Sequence, residues 1–168
     1  MEKKERHKRF IEAWGQLGPK WGINKTMAQI HALLLASNEP LCYKCIKDEL
    51  DISMGCINMN LKTLLSWELI YGVDVPGERK EYFVAEKDMW KVFQMIVRKR
   101  KEEELIPMMA ILDELGTAQN PEEINEDPEF FDTVKDIKQI ATQVDRVLDN
   151  VANGENQWLM KGIRMIMR

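Results

Sequence analysis

Three groups of side chains in this 168-residue chain could do chemistry. The first is Ser53, Gly55, Asn58, Met59 and Lys62, with Met54 and Thr63 beside them: small or polar residues apart from the two methionines, with no acid among them. Nucleic acid requires such a surface. No carboxylate repels phosphate, a glycine lets the backbone come close, and an asparagine can pair bidentately with an adenine edge. The second group is Arg79 and Lys80, adjacent cations on a predicted hairpin tip, where long side chains can reach phosphates or a minor groove. The third is Cys42-Tyr43-Lys44-Cys45, a C-x-x-C at a predicted helix start, with Cys56 one helix further on. Helix N-termini lower thiol pKa values, so these three thiols admit a redox switch or a zinc site. A structural zinc site wants four ligands, however, and His31 is the only nearby histidine. Thiols standing in for capping residues are the simpler reading. Patterns for catalysis are missing: there is no Gly-rich phosphate loop, no HExxH, and no serine with partners at recognisable spacing. The chain reads as a non-enzyme with neither cofactor nor metal.

The elements that position these groups follow from periodicity. Phe10, Ile11, Trp14 and Leu17 predict a first helix over 5–18, stopped by Gly18-Pro19. Asn24 or Thr26 caps a second helix carrying Met27, Ile30 and Leu33 to Leu35, ended by Asn38-Glu39-Pro40. Leu41 reads as a stub of extended chain, 43–50 as a short third helix, and Asp51-Ile52 as a tight turn. Ser53 then caps a fourth helix whose buried stripe is Ile57, Leu61, Leu64 and Leu65. Leu69 to Tyr71 and Tyr82 to Val84 read as strands turned by Pro76-Gly77. Three helices followed by a hairpin give the order of a winged helix-turn-helix.

From Lys87 the pattern is helical again. Pro107 should kink or break a long helix through the charge run Arg98 to Glu104, which reads as a wet face with paired charges. Residues 117–127 read as a loop. Asp127-Pro128-Glu129 is a helix start. Phe130, Val134, Ile137, Ala141, Val144, Leu148 and Val151 then recur as a heptad seam, fit for a core or a partner chain. Asn153-Gly154 closes this helix, and Trp158, Leu159, Ile163 and Ile166 predict a last one. Trp90 and Phe93, with Trp14, Trp21 and Trp67, could cage a cationic effector, though core packing is the simpler role for most of them.

Composition, 45% hydrophobic and 31% charged, suits a globular chain, and no apolar run approaches membrane-spanning length. A charged N-terminus without an apolar signal core predicts a cytoplasmic location. Residues 1–101 hold 18 Lys and Arg against 13 Asp and Glu, whereas 102–168 hold 6 against 15. A polyanion should therefore meet the N-terminal part.

Met54-Gly55-Cys56-Ile57-Asn58-Met59-Asn60-Leu61, the segment Val75-Pro76-Gly77-Glu78-Arg79-Lys80-Glu81-Tyr82 and the following Trp90 resemble the GbsR-like branch of the MarR transcriptional regulators. The resemblance covers roughly residues 8–115. It implies a homodimeric winged-helix repressor of double-stranded DNA at a pseudo-palindromic operator, relieved by a small-molecule effector. The helix carrying Gly55, Asn58, Met59 and Asn60 would be the recognition helix, and Arg79 and Lys80 the wing contacts. Met54 and Cys56 depart from the basic residue and small hydroxyl common in that family, and Cys42 and Cys45 from its usual capping pair.

The expected fold is mainly α: a winged helix-turn-helix with a two-stranded β wing plus an all-helical C-terminal dimerisation region. Residues 1–24 would be an N-terminal helix contributing Phe10 and Trp14 to dimerisation. Residues 25–87 would bind DNA, and 88–168 would be a helical linker and dimerisation region. The rival readings are a winged-helix protein-interaction module and a thiol-based redox sensor using Cys42, Cys45 or Cys56.

Overall fold

The computed structural model describes residues 2–117, 124 and 126–153. The chain divides into two compact units, Met1–Val92 and Phe93–Arg168. In the first, helix α1 (Lys3–Leu17) leads through a 3-10 turn (Gly18–Trp21) to α2 (Lys25–Ala36). Strand β1 (Leu41–Cys42), α3 (Tyr43–Leu50), α4 (Met54–Ser66), β2 (Ile70–Val73) and β3 (Tyr82–Ala85) follow. This is a winged-helix fold, mainly helical with a small antiparallel sheet.

Helix α2 is the hub. Met27, Ala28, Ile30, His31, Ala32, Leu33 and Leu34 are all buried, so it is apolar on nearly every side, as a central helix must be. α1, α3, α4 and β3 pack around it. Gly18 allows one close approach, since a Cβ there would meet the Ala28 methyl at 2.6 Å. Ile46 of α3 and Ile57, Leu61 and Leu64 of α4 are at most 1% exposed; full burial of each such side chain contributes about 1.5–3 kcal/mol. Leu65, expected in that stripe, is 37% exposed. It lies one position past Leu64, or 100° further round, which carries it off the core face.

The sheet has three strands in the order β1-β3-β2 rather than two. Leu41 and Cys42 pair with Phe83 and Tyr82, while β2 pairs Ile70 with Ala85 and Val73 with Tyr82. The extended stub at Leu41 is therefore a sheet edge that anchors the root of the hairpin. Lys87 fixes the hairpin's exit. Its Nζ donates to the carbonyls of Leu34, Leu35 and Ser37 at 2.7–2.8 Å, supplying a cation where the end of α2 concentrates negative charge.

In the second unit, α5 (Met89–Arg100, which begins in the first) runs into one π-helical turn (Lys101–Leu105) and α6 (Ile106–Leu115); α7 (Pro128–Asn153) follows. Pro107 does not break the path. Its missing amide and its ring are accommodated by the wider turn, in which the Ile106 amide bonds to the Lys101 carbonyl. The charge run is paired, as expected of a wet face: Lys99 meets Glu102 at 2.7 Å, and Arg100 meets Glu104. Lys101 turns inward instead, to Asp145 at 2.9 Å and to Asp149 on α7. Leu112, Val134 and Ala141 form the local core, with Leu105 and Met109 against it. The predicted helix around Trp158 to Ile166 lies outside the described residues.

Candidate nucleic-acid interface

α3 and α4 make a helix-turn-helix joined by three residues. Asp51, just past α3, adopts the left-handed conformation (φ 51°) and bonds its amide to the Lys47 carbonyl at 2.8 Å. Asp tolerates this geometry better than most residues. Ser53 then starts α4, its hydroxyl accepting from the Cys56 amide at 3.3 Å. The far end closes as a Schellman motif: Leu69 donates to Leu64 and Glu68 (φ 58°) to Leu65. Both ends of α4 are thus fixed by the local sequence.

Its two faces differ sharply. Inward lie Ile57, Asn60, Leu61 and Leu64. Outward lie Gly55, Asn58 and Lys62, all exposed, with Met54 46% and Met59 62% exposed. Met54, Asn58 and Lys62 follow one another at four-residue spacing, so they form a row along the helix. From Ile52 to Trp67 there is no acidic residue. At Gly55 a Cβ would meet nothing within 4 Å, so no packing inside the protein demands a glycine there. Thr63 is half-buried, and its hydroxyl donates to the Met59 carbonyl at 3.2 Å.

Asn60 is not on this face. It is 1% exposed, its Oδ1 accepts from Asn24 Nδ2 at 2.9 Å, and its own amide donates to the Cys56 carbonyl at 2.8 Å. Asn24 in turn caps α2 by accepting from the Met27 amide at 2.7 Å. Two asparagines therefore clasp the start of α2 to the middle of α4. This polar contact sets the pose of the outward row, and sequence periodicity did not reveal it. The signal available was the Asn24 cap; its second bond spans 36 residues.

The hairpin tip is a turn from Val75 to Glu78, closed by Glu78 N–H to the Val75 carbonyl at 3.1 Å. Gly77 takes φ 84°, as the third residue of a type II turn after proline requires. Arg79 and Lys80 are exposed beyond it, Lys80 lying 3.9 Å from Glu78. Residues 74–81 also hold Asp74, Glu78 and Glu81, so the tip carries two cations against three acids. The charge count shifts in the same way. Residues 1–92 hold 14 Lys and Arg against 13 Asp and Glu; most of the basic excess read from 1–101 sits in Arg98 to Lys101, in the second unit. The acid-free row on α4 is therefore a local feature, not part of a basic domain.

The other predicted residues fall as follows. Phe10 (37% exposed) and the half-buried Trp14 stack on α1 with ring centres 5.5 Å apart. On α7, Val134 and Ala141 are spent on this chain's own core, and Leu148 and Val151 are half-buried. Phe130, Ile137 and Val144 are 40–43% exposed, joined by Ile140 at 63% and Val147 at 56%. The seam is thus divided between an inward row and an outward stripe at 137, 140, 144 and 147. Trp90 is half-buried and Phe93 is 44% exposed. Among the described residues, no group of three His, Cys, Asp or Glu is arranged to hold a metal ion, and no helix is long and apolar enough to cross a membrane.

No protein-family model and no curated protein matches this chain. A solved structure described as a crystal structure of a transcriptional regulator superposes with a TM-score of 0.66 at 15% identity, over 90% of this chain and 99% of its own. At that identity the match establishes the shared fold.

Proposed function

We propose that this chain is a sequence-specific DNA-binding transcriptional regulator, with α4 as the recognition helix. The observation that carries this reading is the exposed, acid-free row of Met54, Asn58 and Lys62, flanked by Gly55 and Met59 and held by an internal clasp. The fold shared with a solved transcriptional regulator supports it. Asn58 reads a base edge, Lys62 and the Ser53 end of α4 meet phosphate, and Arg79 and Lys80 reach the adjacent backbone. The outward apolar stripe of α7 supports a homodimer, with Phe10 and Trp14 as a second contact. Two recognition helices would then lie about 34 Å apart on a pseudo-palindromic site. The resemblance to GbsR-like regulators extends the reading to a cytoplasmic repressor relieved by a small effector near Trp90 or Phe93.

Selection of bound duplexes from a random pool tests the core of this. The expected result is a pseudo-palindrome. Asn58→Ala should then lose about 1–3 kcal/mol on the selected site and much less on random duplex. Arg79→Ala should weaken both equally and reduce the slope of log affinity against log salt by about 1. A protein that ignores duplex even in dilute buffer would instead favour a protein-binding winged helix, the rival that the acids of the 74–81 loop support.

A further inference from the structure

Cys42 and Cys45 meet at the joint between the sheet and the helix-turn-helix. Cys42 is buried, pairs with Tyr82 across the sheet and caps α3, its Sγ accepting from the Cys45 amide at 3.3 Å. Cys45, one turn on, is exposed. Both are thiols, and their Sγ atoms lie 2.8 Å apart. A disulfide bond measures about 2.05 Å, so closure needs a movement of less than about 1 Å. Cys56 has a different setting, on α4 against the Asn60 amide at 3.5 Å.

Access and charge fit the same chemistry. Cys45 borders a cleft of about 700 Å³ lined also by Lys3, Lys4, His7, Glu39 and Glu49. That is room for a small peptide, and lysines beside glutamates suit one bearing both carboxylates and an amine. Burial works to raise the Cys42 thiol, but hydrogen bonds from the Cys45 thiol and from the Cys45 and Lys44 amides, with Lys80 nearby, hold it below the usual thiol value. The bond to Cys42, then burial, raises Cys45. Cys42 is therefore the more acidic thiol of the two.

We propose that Cys42 and Cys45 form a redox-active dithiol that exchanges with low-molecular-weight peptide disulfides reaching Cys45 through this cleft. Cys45, once it has lost its proton to solvent, attacks one sulfur of the disulfide RSSR. A bond forms to Cys45, the S–S bond of RSSR breaks, and RS⁻ leaves. The Cys42 thiolate then attacks the Cys45 sulfur of the mixed disulfide, forming the Cys42–Cys45 bond and expelling the second RS⁻. Two protein thiols are oxidised by two electrons, and RSSR is reduced to two RSH that take up the two protons.

The test uses the full, reduced chain with excess oxidised glutathione, read by intact mass and thiol titration. Two of the three thiols should disappear with the loss of two hydrogens, and dithiothreitol should restore them. Cys42→Ser should stop with one glutathione joined to Cys45. Cys56→Ser leaves the pair and its packing intact, and should lose both remaining thiols even if the Cys42 variant does not fold. Three persistent thiols, or glutathione adducts on the unaltered chain without an internal bond, would overturn the proposal. The readout needs no duplex, so it succeeds or fails separately from the DNA-binding reading.

Discussion

The two units bury their apolar residues to different degrees. In Met1–Val92, Ile30, Leu34, Ile46, Ile57, Leu61, Leu64 and Ile70 are nearly inaccessible and surround one central helix. In Phe93–Arg168 the described core is Leu112, Val134 and Ala141, while Ile106, Ile111, Leu115, Ile137, Ile140 and Val147 remain 43–63% exposed. Large exposed apolar patches of that kind are common at interaction surfaces. The difference teaches a division of labour. The first unit completes its own core; under the proposed function it would hold a reading face still, and the apolar surface of the second would meet a partner chain.

The largest effect should come from the first core. Leu61→Ala should cost about 2–5 kcal/mol in urea unfolding, because a closely packed site cannot collapse around the lost atoms. A cost near that of a surface substitution would break the contrast. Next is acid. His31 is 3% exposed, its Nε2 has no hydrogen-bond partner among the described residues, and burial, with Lys87 adding to it, lowers its pKa to about 4. The native imidazole stays neutral while the unfolded one protonates below pH 6.5. Stability is therefore full above about 6.5 and declines as pH falls toward 4, by about 3 kcal/mol in all. His31→Leu should flatten that decline in melts taken from pH 7 to 4, and an unchanged slope would remove His31 as its source. Asn60→Ala should cost about 0.5–1.5 kcal/mol, since it removes the bond that joins α4 to the exposed Asn24, and it should weaken duplex binding although Asn60 faces away from solvent. The smallest effect on stability belongs to the second unit. Ile140→Ser should change unfolding by less than about 0.5 kcal/mol yet shift sedimentation from dimer to monomer. A dimer that persists would move the interface elsewhere.

Much of the first unit was legible because its signals are local. Ser53 capping α4, Asn24 capping α2 and Pro76-Gly77 turning the hairpin each act within four residues. What escaped notice joins distant parts of the chain. β1 has two residues, too few to show alternation, and is a strand only because Phe83 and Tyr82 lie beside it. Asn60 carries the same side chain as Asn58, and its inward direction is settled by a partner 36 residues away. Lys87 read as the start of a helix and serves as the cap of another. On α7 the heptad spacing was readable, but spacing alone does not say which row an internal neighbour takes. Leu112, Leu105 and Met109 took the row of Val134 and Ala141.

The inward anchoring of α4 also bears on how such a protein can change over evolutionary time. Its scaffold contacts rest on positions 57, 60, 61 and 64, while 54, 55, 58, 59 and 62 face solvent. Substitutions at those five sites can accumulate in a duplicated gene without unsettling the rest. If the proposed function holds, two descendants could then part company in the promoters they recognise while keeping the same architecture.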